Sequence, residues 1–342
     1  MKIYKYTPHI SLFLRQPALS LTPTFFLNDP FEAKLTKKYK DKAVSDYSKY
    51  FNRDGKNSKS VERFTIDLEE NGIFDGIISL TKKKADPTMM SHYADDHRGG
   101  FLEFTVENEI SDGIYNEINL FVRDDIKYQC GPVIYVDGNS RGQSYNQNEV
   151  YDVDSACFEK SCEWRVEEEI RYVADYRKAD FFLFSVKSLI EYYIHRDDNY
   201  IGYEINNGMV VFSYEDMSSS IIKLNPKPIR DVFFKVFDEN DVDSYSYSEN
   251  INSISFRLKN EKNYFNYSSI FKLVHMVKSD FSFHPMLRVN PDVLTGVYFG
   301  SRFDRRNITN DDVIKFTNLA GNIYASKLSD VGFSLDFEKI NL

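Results

Sequence analysis

Cysteine is scarce in this chain of 342 residues: Cys130, Cys157 and Cys162 form an odd set without the paired spacing of a metal site. Such sparse usage points to a reducing cytoplasm. Long apolar runs are also missing, and the start, Met1-Lys2-Ile3-Tyr4-Lys5-Tyr6, has no signal-peptide core, so no membrane partner is expected. Positive charge is in deficit, with 43 Lys and Arg against 52 Asp and Glu and a net charge of −9. That balance excludes a protein that coats nucleic acid through bulk electrostatics, but not an enzyme with a local basic cleft. Two basic runs exist, Lys34, Lys37, Lys38, Lys40 and Lys42 around Tyr39, and Lys82-Lys83-Lys84.

Several signatures of chemistry are absent as well. No G-x-G-x-x-G follows a strand and no G-x-x-x-x-G-K-[ST] occurs, which sets aside a dinucleotide-binding doubly wound sheet and a P-loop ATPase. Without H-E-x-x-H, paired C-x-x-C or G-x-S-x-G, the zinc-protease, zinc-finger and serine-hydrolase readings lose their anchors.

What is present centres on Trp164-Arg165-Val166-Glu167-Glu168-Glu169-Ile170-Arg171-Tyr172-Val173. A period of two predicts a strand with Trp164, Val166, Ile170 and Tyr172 on one face. Arg165, Glu167, Glu169 and Arg171 share the other, and Glu168 alone breaks the alternation. Two readings of the charged face stay open: a solvated surface held by cross-strand ion pairs, or a catalytic carboxylate on a rigid strand with a neighbour that tunes it.

Taken in order, the chain opens with a strand over Ile3 to Thr7 that puts Tyr4 and Tyr6 on one face and Lys5 on the other. Asn28-Asp29-Pro30-Phe31-Glu32 reads as a helix start of the capping-box type, with a broken helix to about Phe51, a polar loop over 53–60 and a short helix near 61–70. Gly76 to Thr81 is a buried strand with Ser79 and Thr81 on one face. Asp86-Pro87 caps a helix over 87–97 that places Met89, Met90, Tyr93 and His97 on one side, and Gly99-Gly100 ends it. Strands are expected over 101–106 and 132–136, a helix near 179–194, mixed strands and turns over 201–236, and a polar loop or arm from Asp238 to Ser255. Val297-Tyr298-Phe299 is a strand before a turn at Gly300, Thr309 caps a helix over about 310–320, and strands near 322–327 and 331–336 follow. The fold class is α+β, as one domain over 1–342 with an inserted arm at about 195–290.

Asp86, His92, Asp95, Asp96 and His97 can be drawn as a metal cluster, but helical spacing separates His92 and Asp96 from His97, so a capped structural helix is the reading and no metal ligand is assigned. Three functional classes remain. One is a group-transfer enzyme using the carboxylate pair, and the second a metal-dependent nuclease with Glu167, Glu169 and an acid such as Asp95 around magnesium. The third is a non-enzymatic binding module, in which the Glu-rich strand is only an ion-paired surface; separately, the composition of the acidic arm 238–255 makes it a candidate partner surface.

Lys5, the strand with Ser79-Leu80-Thr81, and Glu167-Glu168-Glu169 occur in the order in which ADP-ribosyltransferases carry a basic residue or His, an S-x-S/T strand and an E-x-E strand around one NAD cleft. Lys5 stands where that superfamily has Arg or His. A second resemblance covers most of the chain. Tyr4-Lys5-Tyr6, Phe26-x-Asn28-Asp29-Pro30-Phe31-Glu32, Ser79-Leu80-Thr81, Met90-Ser91-His92-Tyr93-Ala94-Asp95-x-His97-x-Gly99, Trp164-x-x-Glu167-x-Glu169-x-Arg171 and Val297-Tyr298-Phe299-Gly300 look like the hallmarks of a bacterial family from phage-defence and toxin–antitoxin neighbourhoods. Met90 replaces that family's usual Trp and Ile170 its usual aromatic. The family in turn resembles the ADP-ribosyltransferase toxins that modify nucleic acids.

The resemblance implies a split β-sandwich around a cleft, with helical insertions. It implies NAD as co-substrate, RNA or DNA as target, and an antitoxin or immunity protein as partner. Glu169 would stabilise the oxocarbenium-like transition state, and Glu167 would meet the acceptor or steer Glu169, their repulsion raising one pKa enough for proton abstraction. Arg171 would hold the Glu169 rotamer. Lys5 with Tyr4 or Tyr6 would face the ribose or adenine, Asn28 and the following helix start the diphosphate, Ser79 the cleft interior and Tyr93 the nicotinamide.

Overall fold

The computed structural model describes residues 1–27, 29, 32–33, 36–37, 40–41, 44–45, 75–107, 109–111, 114–116, 119–123, 126, 128–138, 154–194, 200–216, 221–237, 239–249, 253–258, 284–319, 321–332 and 334–340. Asn28, the loop over 53–60, the helix near 61–70 and most of the helix expected over 30–51 lie outside them. The protein is α+β and rich in sheet, and divides into two compact units, Met1–Lys178 with Arg288–Leu342, and Ala179–Leu287. The arm expected at about 195–290 overlaps the second. Among the described residues no helix is long and apolar enough to cross a membrane.

The first unit is built on a nine-stranded sheet. Its strands are β1 (Lys2–Thr7), β2 (Thr22–Pro23), β3 (Asp75–Thr81), β4 (Gly100–Thr105), β5 (Tyr128–Pro132), β6 (Glu169–Asp175), β7 (Leu294–Phe299), β8 (Ile323–Leu328) and β9 (Leu335–Lys339). They lie in the order β9-β8-β7-β4-β1-β3-β6-β5, with β2 beside β3, and only β7 and β8 run parallel. β1 pairs along its length with β4, from Lys2 opposite Thr105 to Thr7 opposite Gly100. With β3 it keeps a single register pair, Tyr4 opposite Thr81.

Period-two patterning places one aromatic on each of four neighbouring strands. Tyr6 lies beside Phe101 (5.0 Å), Phe101 stacks on Tyr298 (4.4 Å) and Tyr298 on Tyr324 (4.7 Å). Met89, Met90 and Ala94 pack against this row. The methionines come from α1 (Pro87–Tyr93), whose start follows the expected chemistry. The Asp86 carboxylate accepts from the Thr88 and Met89 amides, and Pro87 fills a position where no amide is needed.

The helix stops four residues earlier than its apolar spacing suggests. Asp95, Asp96 and His97 are all left-handed, with φ of 49°, 48° and 68°, so His97 does not continue the row of Met89, Met90 and Tyr93. The Gly99 amide reaches back to the Ala94 carbonyl (2.8 Å), turning the chain straight into β4. A Cβ on Gly100 would stand 2.0 Å from the Tyr298 carbonyl oxygen, so β4 and β7 approach this closely only because that residue is glycine.

Other expectations change for non-local reasons. The strand predicted over 164–173 begins only at Glu169. Cys162–Glu167 is a 3-10 turn and Glu168, the residue that broke the alternation, is left-handed (φ 45°). Val166 is consequently 45% exposed instead of sharing the buried face of Ile170 and Tyr172. In the second unit, Phe181–Ser185 is a strand before the helix Val186–Ile194, because its aromatic run pairs with both Ser253–Leu258 and His284–Arg288. The polar stretch expected as a loop contains the strand Val242–Ser248, paired with Ser253–Leu258, where alternate tyrosines suit a half-exposed sheet. Near the end, Thr309 and Asp312 form a capping box on the short helix Asn310–Val313, with a 3-10 turn over Thr317–Leu319.

Removing the Asp86 cap should cost about 1 kcal/mol, read as a lower urea midpoint for Asp86→Ala with an unchanged slope. Gly100→Ala should be far more damaging, leaving little folded protein in the same titration.

Candidate functional site

Where β1 and β3 share only one register pair, a cavity of 210 Å³ opens within the first unit. β1 contributes Tyr4, Lys5 and Tyr6, β3 Ser79 to Thr81, β6 Glu169 and Arg171, and α1 Met89 and Tyr93. The wall is completed by Phe26, Leu27 and Glu32, and the floor by Lys160 and Glu167. The sequence-predicted site residues Tyr4, Lys5, Tyr6, Ser79, Tyr93, Glu167 and Glu169 all line this one cavity, whereas Asn28 falls outside the described residues.

Of the charged face of the Glu-rich stretch, Arg165 is exposed, whereas Glu167, Glu169 and Arg171 are buried and do not share one strand face. Glu167 ends the 3-10 turn and Glu169 starts β6, yet the left-handed Glu168 between them lets both carboxylates enter the interior. The turn is fixed from two sides, since the Thr81 hydroxyl donates to the Glu167 carbonyl and the Glu169 amide donates to the Tyr135 hydroxyl (2.8 Å).

Arg171, at 1% exposure, grips Glu169 with Nε on Oε1 (2.8 Å) and Nη2 on Oε2 (3.0 Å). It also donates to Glu32 Oε1 (2.8 Å) and the Cys157 carbonyl (2.6 Å). Lys160 Nζ meets Glu167 Oε2 (2.6 Å), Glu32 Oε1 (3.0 Å) and Glu169 Oε2 (3.1 Å), and the Tyr93 hydroxyl donates to Glu167 Oε1.

Burial by itself would raise the Glu169 pKa. The Arg171 guanidinium, the Lys160 ammonium and a hydrogen bond from the Ser79 side chain outweigh it and bring the carboxyl down to about 2. For Glu169 the expectation of a pKa raised by repulsion is thereby corrected, and Lys160 bonds both carboxylates. Glu169 is a buried, ionised carboxylate, suited to stabilising positive charge and poorly suited to taking a proton. Desolvation pushes the Lys5 amine down to about 8 against the attraction of Glu169, and its Nζ donates to the Ser79 carbonyl (2.9 Å). Tyr6 offers only its ring, as its hydroxyl is engaged by the Lys83 carbonyl and the Asp86 amide. Tyr93 is pushed up by burial and by its bond to Glu167, so it stays a protonated donor.

Lys160 and Glu32 escaped the sequence reading as site residues. Lys160 sits in Glu159-Lys160-Ser161, which carries no motif, and Glu32 reads as a helix-cap residue. Asp95, the third acid of the nuclease alternative, is exposed beside Arg98 and lies outside the cavity lining. Among the described residues no group of three or more His, Cys, Asp or Glu is placed to hold a metal ion. Comparison with protein-family models, curated proteins and solved structures finds no match.

Two outcomes follow from the charge arrangement. Arg171→Met should lose about 3–5 kcal/mol in denaturant titration, since buried Glu169 and Glu32 lose a shared partner. The Glu169 pKa falls from an ordinary 4.5 to about 2 on folding, so its stabilisation is complete above about pH 4.5 and disappears as pH drops towards 2. An acid titration of Glu169→Gln should therefore show a shallower loss of stability across that window than the wild type.

Proposed function

We propose that the protein is an NAD-dependent ADP-ribosyltransferase that modifies nucleic acid, RNA or DNA, as a toxin or anti-phage effector. The observation that carries this reading is the buried, ionised Glu169 at the floor of an aromatic-walled cavity that also gathers Lys5 and Ser79. Those are the three elements, distant in sequence, that the ADP-ribosyltransferase resemblance places around one cleft, and here adjacent strands β1, β3 and β6 bring them together.

The chemistry follows from charge and shape. Breaking the bond between nicotinamide and ribose C1′ sends the electron pair to the ring and leaves positive charge on the sugar. A fixed carboxylate beneath the ribose stabilises that charge with no reorganisation at the moment of reaction. Arg171 aims Glu169 through two parallel bonds, and Tyr93 and Lys160 fix Glu167 beside it, where an acceptor nucleophile can be held. Tyr4, Tyr6 and Tyr93 offer ring surface to a planar nicotinamide. At 210 Å³ the cavity is smaller than the roughly 300–1,000 Å³ of whole-ligand pockets and fits the nicotinamide–ribose end of the dinucleotide. The nucleic-acid target, the defence role and an antitoxin partner rest on the family resemblance, and the cytoplasmic setting on the sparse cysteines.

Incubating the protein with labelled NAD and a cell lysate tests the reading. Label should pass to nuclease-sensitive material with wild type and fall at least about 100-fold with Glu169→Gln. Label in protease-sensitive material would redirect the target class, and no NAD-dependent label from folded wild type would end the transferase reading.

A further inference from the structure

Lys160 enters the site from the short strand Glu159–Ser161, which pairs in parallel with Ile134–Val136, and is 8% exposed. An ammonium has three N–H donors, and the three oxygens around this one belong to three carboxylates, from Glu167, Glu32 and Glu169 at 2.6, 3.0 and 3.1 Å. The Trp164 ring covers the same ammonium at 4.9 Å from its centroid. No donor is left for a ligand, so Lys160 cannot act by gripping substrate. It differs in this from Lys5, whose amine reaches a neutral carbonyl.

Carboxylate oxygens from three chain segments converge on this one ammonium, and although they are not placed as a metal site they are the ligand type a hard divalent cation takes. Here a side chain supplies the positive charge. We propose that Lys160 is a tethered cation that offsets the mutual repulsion of Glu32, Glu167 and Glu169, positions the carboxylate pair, and makes the site independent of a divalent metal. Around it stand Glu32, Tyr93 from α1, Tyr135, Glu167, and Glu169 and Arg171 from β6, with Lys5 across the cavity on β1. Without the ammonium, Glu32 and Glu169 would keep only Arg171, and Glu167 would lose the cation it contacts. Protonation of one acid would then relieve the strain, so the variant's stability should drop as pH rises.

The test uses the full chain and its melting temperature between pH 5 and 8, with EDTA, magnesium or manganese. Wild type should melt alike under all three. Lys160→Met should melt about 10 °C lower at pH 8, recover towards pH 5, and be raised at pH 8 by millimolar manganese. Lys160→Arg, which keeps the charge, should recover most of the loss and ignore the metal. If Lys160→Met does not fold, the double variant Lys160→Met with Glu32→Gln, which removes one charge of each sign, should fold and lose the pH dependence. A Lys160→Met profile parallel to wild type and unmoved by metal overturns the proposal, as does a wild type stabilised by manganese or a double variant no better than the single. The role of Lys160 in positioning the pair for transfer rests on the reading above, and the label assay separates the two. Absent label from wild type sinks the transferase, while the melting curves still decide Lys160.

Discussion

Three buried carboxylates held by two buried cations are the constraint from which the first unit takes its form. Lys160 meets all three of Glu32, Glu167 and Glu169, and Arg171 meets Glu32 and Glu169, through contacts of 2.6–3.1 Å in the interior. Taking five charges out of water costs several kcal/mol for each, and such a cluster is tolerable only when nearly every charge has its partner in place. The segments that bring them are therefore tied to one arrangement: the turn carrying Glu32, the strand carrying Lys160, the 3-10 turn ending at Glu167, and β6. Tyr93 joins α1 to the same network.

The sheet makes that arrangement stiff. Seven register pairs join β6 to β3, and six join β1 to β4, while the β1–β3 ladder narrows to Tyr4 and Thr81. The cavity lies at this narrowing, bounded by well-paired strands, and the aromatic row meets it through Tyr6. A carboxylate in such a frame keeps its position and its charge. That is the property required of a group meant to stabilise a cation that exists only briefly.

Much of this was legible in sequence because it depends on short-range rules. The Asp86-Pro87 cap, the alternation in β1 and β3, and the strand at Val297-Tyr298-Phe299 follow from local patterns, and Glu167, Glu169 and Arg171 stand out as charges in an apolar setting. Local rules failed where distant partners decide. Glu168 adopts a left-handed conformation that no period of two anticipates, and Phe181–Ser185 becomes a strand because two other strands flank it. Lys160 has no motif, and its role arises only when residues 32, 167 and 169 meet. Glu32 reads as a capping residue after Asp29-Pro30, but its carboxylate is turned towards Arg171 and Lys160.

The central claim is that Glu169 lies beneath the ribose of NAD. A crystal structure with a carbocyclic NAD analogue, whose nicotinamide bond cannot break, measures this directly. The account predicts the nicotinamide end within the cavity and the atom in the place of C1′ about 3–3.5 Å from a Glu169 oxygen. An analogue bound elsewhere, or one that leaves the cavity empty at saturating concentration, would contradict it.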